Sequence, residues 1–176
     1  MSGTGDGRTE NLLAAYGVAV AERVRAASEQ ALGLGVGAPA AMVSISGFLD
    51  GQSVSSLARV LGLSHPGAVR LVDRLEREGL IERRRVASDA RELSLVATRA
   101  GRTAARRVLA QRATAMAELL EPLSDEETAQ LTGLLERLLG TMTDDRHAGR
   151  HICRHCYIGA CGHPDTCPVT LATHHA

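Results

Sequence analysis

"SVSSLARVLGLSHPGAVRLVDRLEREGLIERRRVASDARELSLVA", Ser53 to Ala97, is the stretch whose reading decides the fold. Ser53 stands where a helix N-cap is wanted, its hydroxyl able to accept from the free amides of the next turn, and Val54 to Leu61 continues as a helix that Gly62 ends. Leu63 and Ser64 lead into a second helix, in which Ala68, Leu71, Val72 and Leu75 fall at i, i+3, i+4 and i+7 and share one buried face. Arg70, Asp73, Arg74 and Arg77 then point elsewhere, and Gly79 is a C-terminal stop. Ile81 to Val86 and Glu92 to Ala97 are partly alternating runs with branched residues, separated by Ala87 to Arg91, which is the pattern of a β-hairpin. Two short helices joined by a tight turn and followed by a hairpin form the order that sets a second helix in the major groove beside an arm on the backbone. The same arginines would also suit the solvated surface of an ordinary helical domain.

Working outward, Thr9 to about Leu34 reads as a long helix with Leu12, Leu13, Tyr16, Val20, Val24 and Ala27 near a helical period. The Gly-rich segment Gly33 to Pro39 breaks it, and Ala40 to Leu49 resumes as a short apolar helix before the Asp50-Gly51 turn. On the other side, Thr98 can cap a fifth helix running to about Leu120, Pro122 closes it, and Ser124 to Glu127 is a capping box opening a sixth helix to about Met142. The expected class is mainly α with a small hairpin wing. Aromatic residues make up 2% of the chain, so its core must come from Leu, Val and Ala, which disfavours an all-β sandwich.

The formal net charge is zero, which taken alone argues against a nucleic-acid partner. The average conceals a polarity. Arg70 to Arg107 holds eleven Arg against six acids, whereas Glu118 to Asp145 holds eight acids against Arg137 alone. All twenty basic residues are Arg, the side chain suited to phosphates and guanine edges. No apolar run approaches the ~20 residues of a membrane span and Met1 to Arg8 lacks a signal-peptide pattern, so the expectation is a cytoplasmic protein with no membrane partner.

The stretch from Ser53 to Ala97 resembles the DNA-binding core of the MarR family: "LGLS" at Leu61 to Ser64, a recognition-helix pattern at Ala68 to Arg83 and an Asp-x-Arg wing at Asp89 to Arg91. "TRAGR" at Thr98 to Arg102 is similar to the family's Thr-x-x-Gly-Arg. The resemblance implies a winged helix-turn-helix regulator, a repressor, acting as a homodimer on double-stranded DNA with a pseudo-palindromic operator of half-sites ~10 bp apart. It divides the chain into a disordered start (1–8), an N-terminal dimerisation helix (9–37), a winged helix-turn-helix domain (38–97), C-terminal dimerisation helices (98–142) and a Cys/His-rich tail (143–176). Carried over by position, Ser64, His65, Pro66, Gly67 and Arg70 would face base edges, and Arg74 and Arg77 would lie nearer phosphates. Arg91 would enter the minor groove, oriented by Asp89. His65-Pro66-Gly67 departs from the family's hydroxyl-rich helix start and Ala68 replaces its first Val, which leaves base readout resting largely on Arg70. A small-molecule effector between the dimer helices and the DNA-binding lobe is also implied, with Tyr16, Met42 and Phe48 as candidate lining.

The chain's four cysteines all fall in the tail, as Cys153, Cys156, Cys161 and Cys167 in the form C-x2-C-x4-C-x5-C. Four thiolates with intervening glycines suit a metal site, and two metals remain open. The resemblance to zinc-knuckle spacing points to Zn2+, whereas the compact loop and Cys167-Pro168, which echoes bacterial ferredoxins, point to an iron-sulfur cluster. His147, His151, His155 and His163 add alternative ligands, while His174 and His175 belong with the chain end. The tail is expected to lie beside the dimerisation helices, as a redox or metal sensor or as a structural clip on a small-molecule-responsive repressor. Readings from other classes are a thiol-disulfide redox protein using Cys153 and Cys156, which lacks the usual βαβ context, and a metal-storage module with a degenerate helix-turn-helix.

Overall fold

The computed structural model of the chain describes residues 7–86, 89–143 and 145–173. Helices α1 (Arg8–Leu32), α2 (Ala38–Ser46), α3 (Val54–Leu61) and α4 (His65–Arg77) are followed by an antiparallel hairpin, β1 (Ile81–Val86) and β2 (Asp89–Ala97). Then come α5 (Arg99–Leu120), α6 (Asp125–Thr141), α7 (Arg146–Ile152) and α8 (Pro168–Thr173). The fold is mainly helical with a two-stranded wing, as the sequence implies. Among the described residues no helix is long and apolar enough to cross a membrane.

The caps form as local chemistry dictates. Ser53 Oγ accepts from the Ser56 amide, Thr98 Oγ1 accepts from the Gly101 amide, and Ser124 with Glu127 closes a full capping box. Ser64, read only as a lead-in residue, caps α4 by accepting from the Gly67 amide at 3.3 Å. In the hairpin Ile81 pairs with Ala97 and Arg83 with Leu95, with an irregularity between Arg85 and Val86. Strand β2 begins at Asp89 rather than at Glu92, since backbone pairing continues through polar residues that carry no apolar alternation. Gly51 and Gln52 exchange backbone hydrogen bonds with Leu95, which ties the hairpin base to the turn before α3.

The core gathers Met42, Ile45 and Leu49, Leu57 and Val60, the predicted α4 face, and Ile81 and Leu95 of the wing. This one cluster joins the helix-turn-helix to its hairpin. By contrast α1 buries only Ser28 and Ala31, and α6 buries nothing. Leu12, Leu13 and Tyr16 on α1 and Leu134, Leu135 and Leu138 on α6 are each about half exposed. Such rows are unusual on a lone chain.

The region from Thr143 onward, expected to have no helical period, contains α7, a 3-10 turn at Cys153–His155, and α8. These segments are too short to show a period, and their stability comes from packing.

Gly101, in the first turn of α5, packs against the end of the Leu80 residue. A Cβ there would lie 1.9 Å from the Leu80 carbonyl oxygen and 2.8 Å from Met42 Cε. Gly101→Ala therefore should lower stability by about 1–3 kcal/mol in denaturant titrations, because overpacking against backbone outweighs the ~1 kcal/mol that Ala gains in helix propensity.

Candidate nucleic-acid interface and cysteine lobe

The core fixes which side of α4 faces outward. Ala68, Leu71, Val72 and Leu75 are buried, and Ser64, His65, Pro66, Arg70, Arg74 and Arg77 are exposed, with Gly67 intermediate. The sequence-predicted reading face is thus continuous along one helix. His65 Nδ1 lies 3.4 Å from Ser55 Oγ, linking the starts of α3 and α4. Arg74 donates to the Leu34 carbonyl at 2.8 Å, so part of its guanidinium anchors α4 to the α1–α2 connection. Asp89 and Arg91 lie in strand β2, and their side chains fall outside the described residues.

Sequence reading missed the residue that aims the wing. Arg83 on β1 donates to Asp73 at 2.5 Å and to Glu76, both on α4, and its backbone amide donates to the Glu76 carboxylate at 3.2 Å. Burial works against the Arg83 charge, but its hydrogen bonds and proximity to Asp73 and Glu76 outweigh that and raise its pKa. Two acids spaced i, i+3 on the exposed side of a basic helix, followed by Arg83-Arg84-Arg85, are the signal that could have revealed it.

The cysteines come together in a small lobe. Cys153 follows α7, Cys156 closes the 3-10 turn by donating its amide to the Cys153 carbonyl at 2.8 Å, and Cys167 immediately precedes α8. Cys161 leads into Gly162, whose φ of 66° and whose space, filled by Thr166 Oγ1 at 1.9 Å from an added Cβ, demand glycine. All four thiols line one cavity of about 150 Å³, together with Phe48, Arg146, Arg150, Ile158 and His163. Cys167 is buried, Cys153 and Cys156 are intermediate and Cys161 is exposed. Hydrogen bonding with Cys153 holds the Cys156 thiol down to about 6 against burial, helped by the Arg112 guanidinium. Cys153 is pushed up by the same hydrogen bond and by burial, and Cys161 is raised by burial and by Cys156. Among the described residues no three His, Cys, Asp or Glu side chains stand where they could share a single metal ion.

The histidines have other partners. His151 Nδ1 lies 2.8 Å from the Val60 carbonyl, and His163 Nδ1 lies 2.8 Å from Thr170 Oγ1. Burial, with Arg154 and Arg112 nearby, lowers His155 to about 4, so it is neutral at pH 7. The His147 side chain, His174 and His175 lie outside the described residues.

The lobe does pack beside a predicted dimerisation helix, α8 against α6, but it also docks on the DNA-binding domain. Helix α7 packs on α3 and the 3-10 turn packs on α2. Ser44 Oγ donates to the Arg154 carbonyl at 3.3 Å, Arg112 donates to the His155 carbonyl, and Arg150 stands 5.9 Å from the Phe48 ring centre.

Tyr16, Met42 and Phe48 do not line a common pocket within the chain. Tyr16 is exposed on α1, Met42 is wholly buried in the core, and Phe48 belongs to the cysteine cavity. Helical period places residues on a face but does not say which cavity that face meets.

A recognition helix backed by an apolar core and flanked by a hairpin clamped to it defines a winged helix-turn-helix protein, the fold of DNA-binding transcription regulators. Residues 39–92 match the model of the MarR family, and the chain belongs to that family. It is similar to a MarR-family transcriptional regulator from Rhodococcus sp. RHA1 at 27% identity and a TM-score of 0.58, over 78% of this chain and 97% of that one. It is equally similar to CouR from Rhodococcus jostii RHA1, solved bound to p-coumaroyl-CoA, at 27% identity and a TM-score of 0.58, over 78% and 95% of the two chains. A MarR family protein from Bacillus stearothermophilus shares the fold at a TM-score of 0.70 and 23% identity, over 81% and 98%.

Arg83→Gln should cost about 1 kcal/mol of stability in thermal unfolding, since both acids are more than a third exposed and solvent screens the pairs. A loss of several kcal/mol would instead place Arg83 in a buried network.

Proposed function

We propose that the protein is a homodimeric repressor that presents two copies of α4 to successive major grooves of a pseudo-palindromic operator, with the hairpin tips on the flanking minor grooves. The observation that carries this reading is the exposed α4 face holding Arg70 and Arg77, flanked by a hairpin held through Arg83. The apolar rows of α1 and α6, half exposed on a single chain, support dimerisation through those helices. By position, Ser64, His65, Gly67 and Arg70 would contact base edges, and Arg77 and the exposed part of Arg74 would contact phosphates.

The cysteine lobe is a metal centre on Cys153, Cys156, Cys161 and Cys167 that reports metal or redox state to the DNA-binding domain it touches. Zn2+ and an iron-sulfur cluster are the two candidates. A small-molecule effector has support in a separate place. An open cleft of about 580 Å³ between the end of α1 and the start of α5 is lined by Leu32, Leu80, Arg99, Thr103 and Arg107, and its two arginines suit an anionic ligand.

Arg91→Ala and Arg70→Ala should each weaken operator binding by about 1–3 kcal/mol, and only Arg70→Ala should relax base preference. A gel-shift titration against the protein's own promoter reads both. Unchanged binding in both variants, or a monomer in analytical ultracentrifugation, would overturn this reading.

A further inference from the structure

We infer that the cavity enclosed by Cys153, Cys156, Cys161 and Cys167 takes a polynuclear iron-sulfur cluster rather than a single zinc ion. The inference rests on the reading of the lobe as a metal centre. A zinc ion with Zn–S bonds of ~2.3 Å draws its four sulfurs to within about 4 Å of one another. No three Cys, His, Asp or Glu side chains among the described residues are placed to share one ion in that way. The four thiols instead stand around a space of about 150 Å³, some ten times the ~15 Å³ that a single water-sized occupant needs. That volume matches an inorganic core of several atoms whose corners, not whose centre, meet the sulfurs.

The rest of the wall agrees with this occupant. Phe48, Ile158 and Val169 give it an apolar side, and Arg146 and Arg150 line it, so cationic and low-dielectric surfaces surround an assembly that four thiolates make negative. Histidine ligation, the usual alternative in zinc sites, is not on offer from the side chains nearest the cysteines. His151 is bonded to the Val60 carbonyl and His163 to Thr170, so each would have to give up its partner to bind a metal. Pro168, directly after the last cysteine, starts α8 and turns the chain away from the cavity.

The test uses the full chain purified without oxygen, or reconstituted with ferrous iron and sulfide if it emerges metal-free. Expected are iron and acid-labile sulfide in equal amounts, about four of each per chain, with a brown visible absorption. Cys161→Ser, at the most exposed thiol, should lose that absorption while its far-ultraviolet circular dichroism stays unchanged; Cys156→Ser is the second variant if the first is misfolded. One zinc per chain with a colourless spectrum would overturn the cluster and leave a metal lobe standing. Failure to bind either metal, even on reconstitution, would overturn both. Gel shifts on the same samples report the DNA-binding reading separately, so its failure cannot be mistaken for failure of the cluster.

Discussion

Ala68, Leu71, Val72 and Leu75 run along one side of α4, none more than 6% exposed, and their burial against α2, α3 and the hairpin fixes the rotation of that helix about its own axis. Each fully buried Leu or Val contributes about 1.5–3 kcal/mol, more than an exposed ion pair supplies. The arginines opposite are therefore aimed by hydrophobic packing, and the Arg83 clamp only trims the angle of the wing. Because Ile81 and Leu95 belong to the same cluster, helix and hairpin move as one body. A surface that reads DNA must present both at a set separation, and this single core provides it.

Legibility in the sequence followed the range of the forces involved. Ser53, Thr98 and the Ser124–Glu127 box act within one turn, so the helix starts were open to reading from a few residues. The α4 face was open to reading for the same reason, since a 3.6-residue period is a local property. Partners distant in the chain left no such trace. Arg74 with Leu34, Arg112 with His155, and His151 with Val60 are separated by 40, 43 and 91 residues, and none could be paired before the fold was known. Tyr16, Met42 and Phe48 show the same boundary from the other side, because all three read as apolar helix residues and the fold sends them to three different environments.

The two halves of the charge pattern occupy different elements. The basic stretch supplies α4, the hairpin and the start of α5, and the acidic stretch supplies the end of α5 and α6. A zero sum over the chain is thus compatible with a locally cationic reading face, since solvent screens charges beyond a Debye length of about 10 Å at 0.1 M salt. Net charge misleads wherever a protein has a long axis.

The hydrogen bond from His151 to Val60 ends α3 with a donor borrowed from far down the chain, while Phe48 and Ser44 are covered by the same appendage. The reading head is for that reason not a portable cassette. A chimera that transplants residues 38–97 onto another body would carry a helix terminus with a bare carbonyl and an aromatic ring stripped of its cover, and its architecture would have to supply replacements for both.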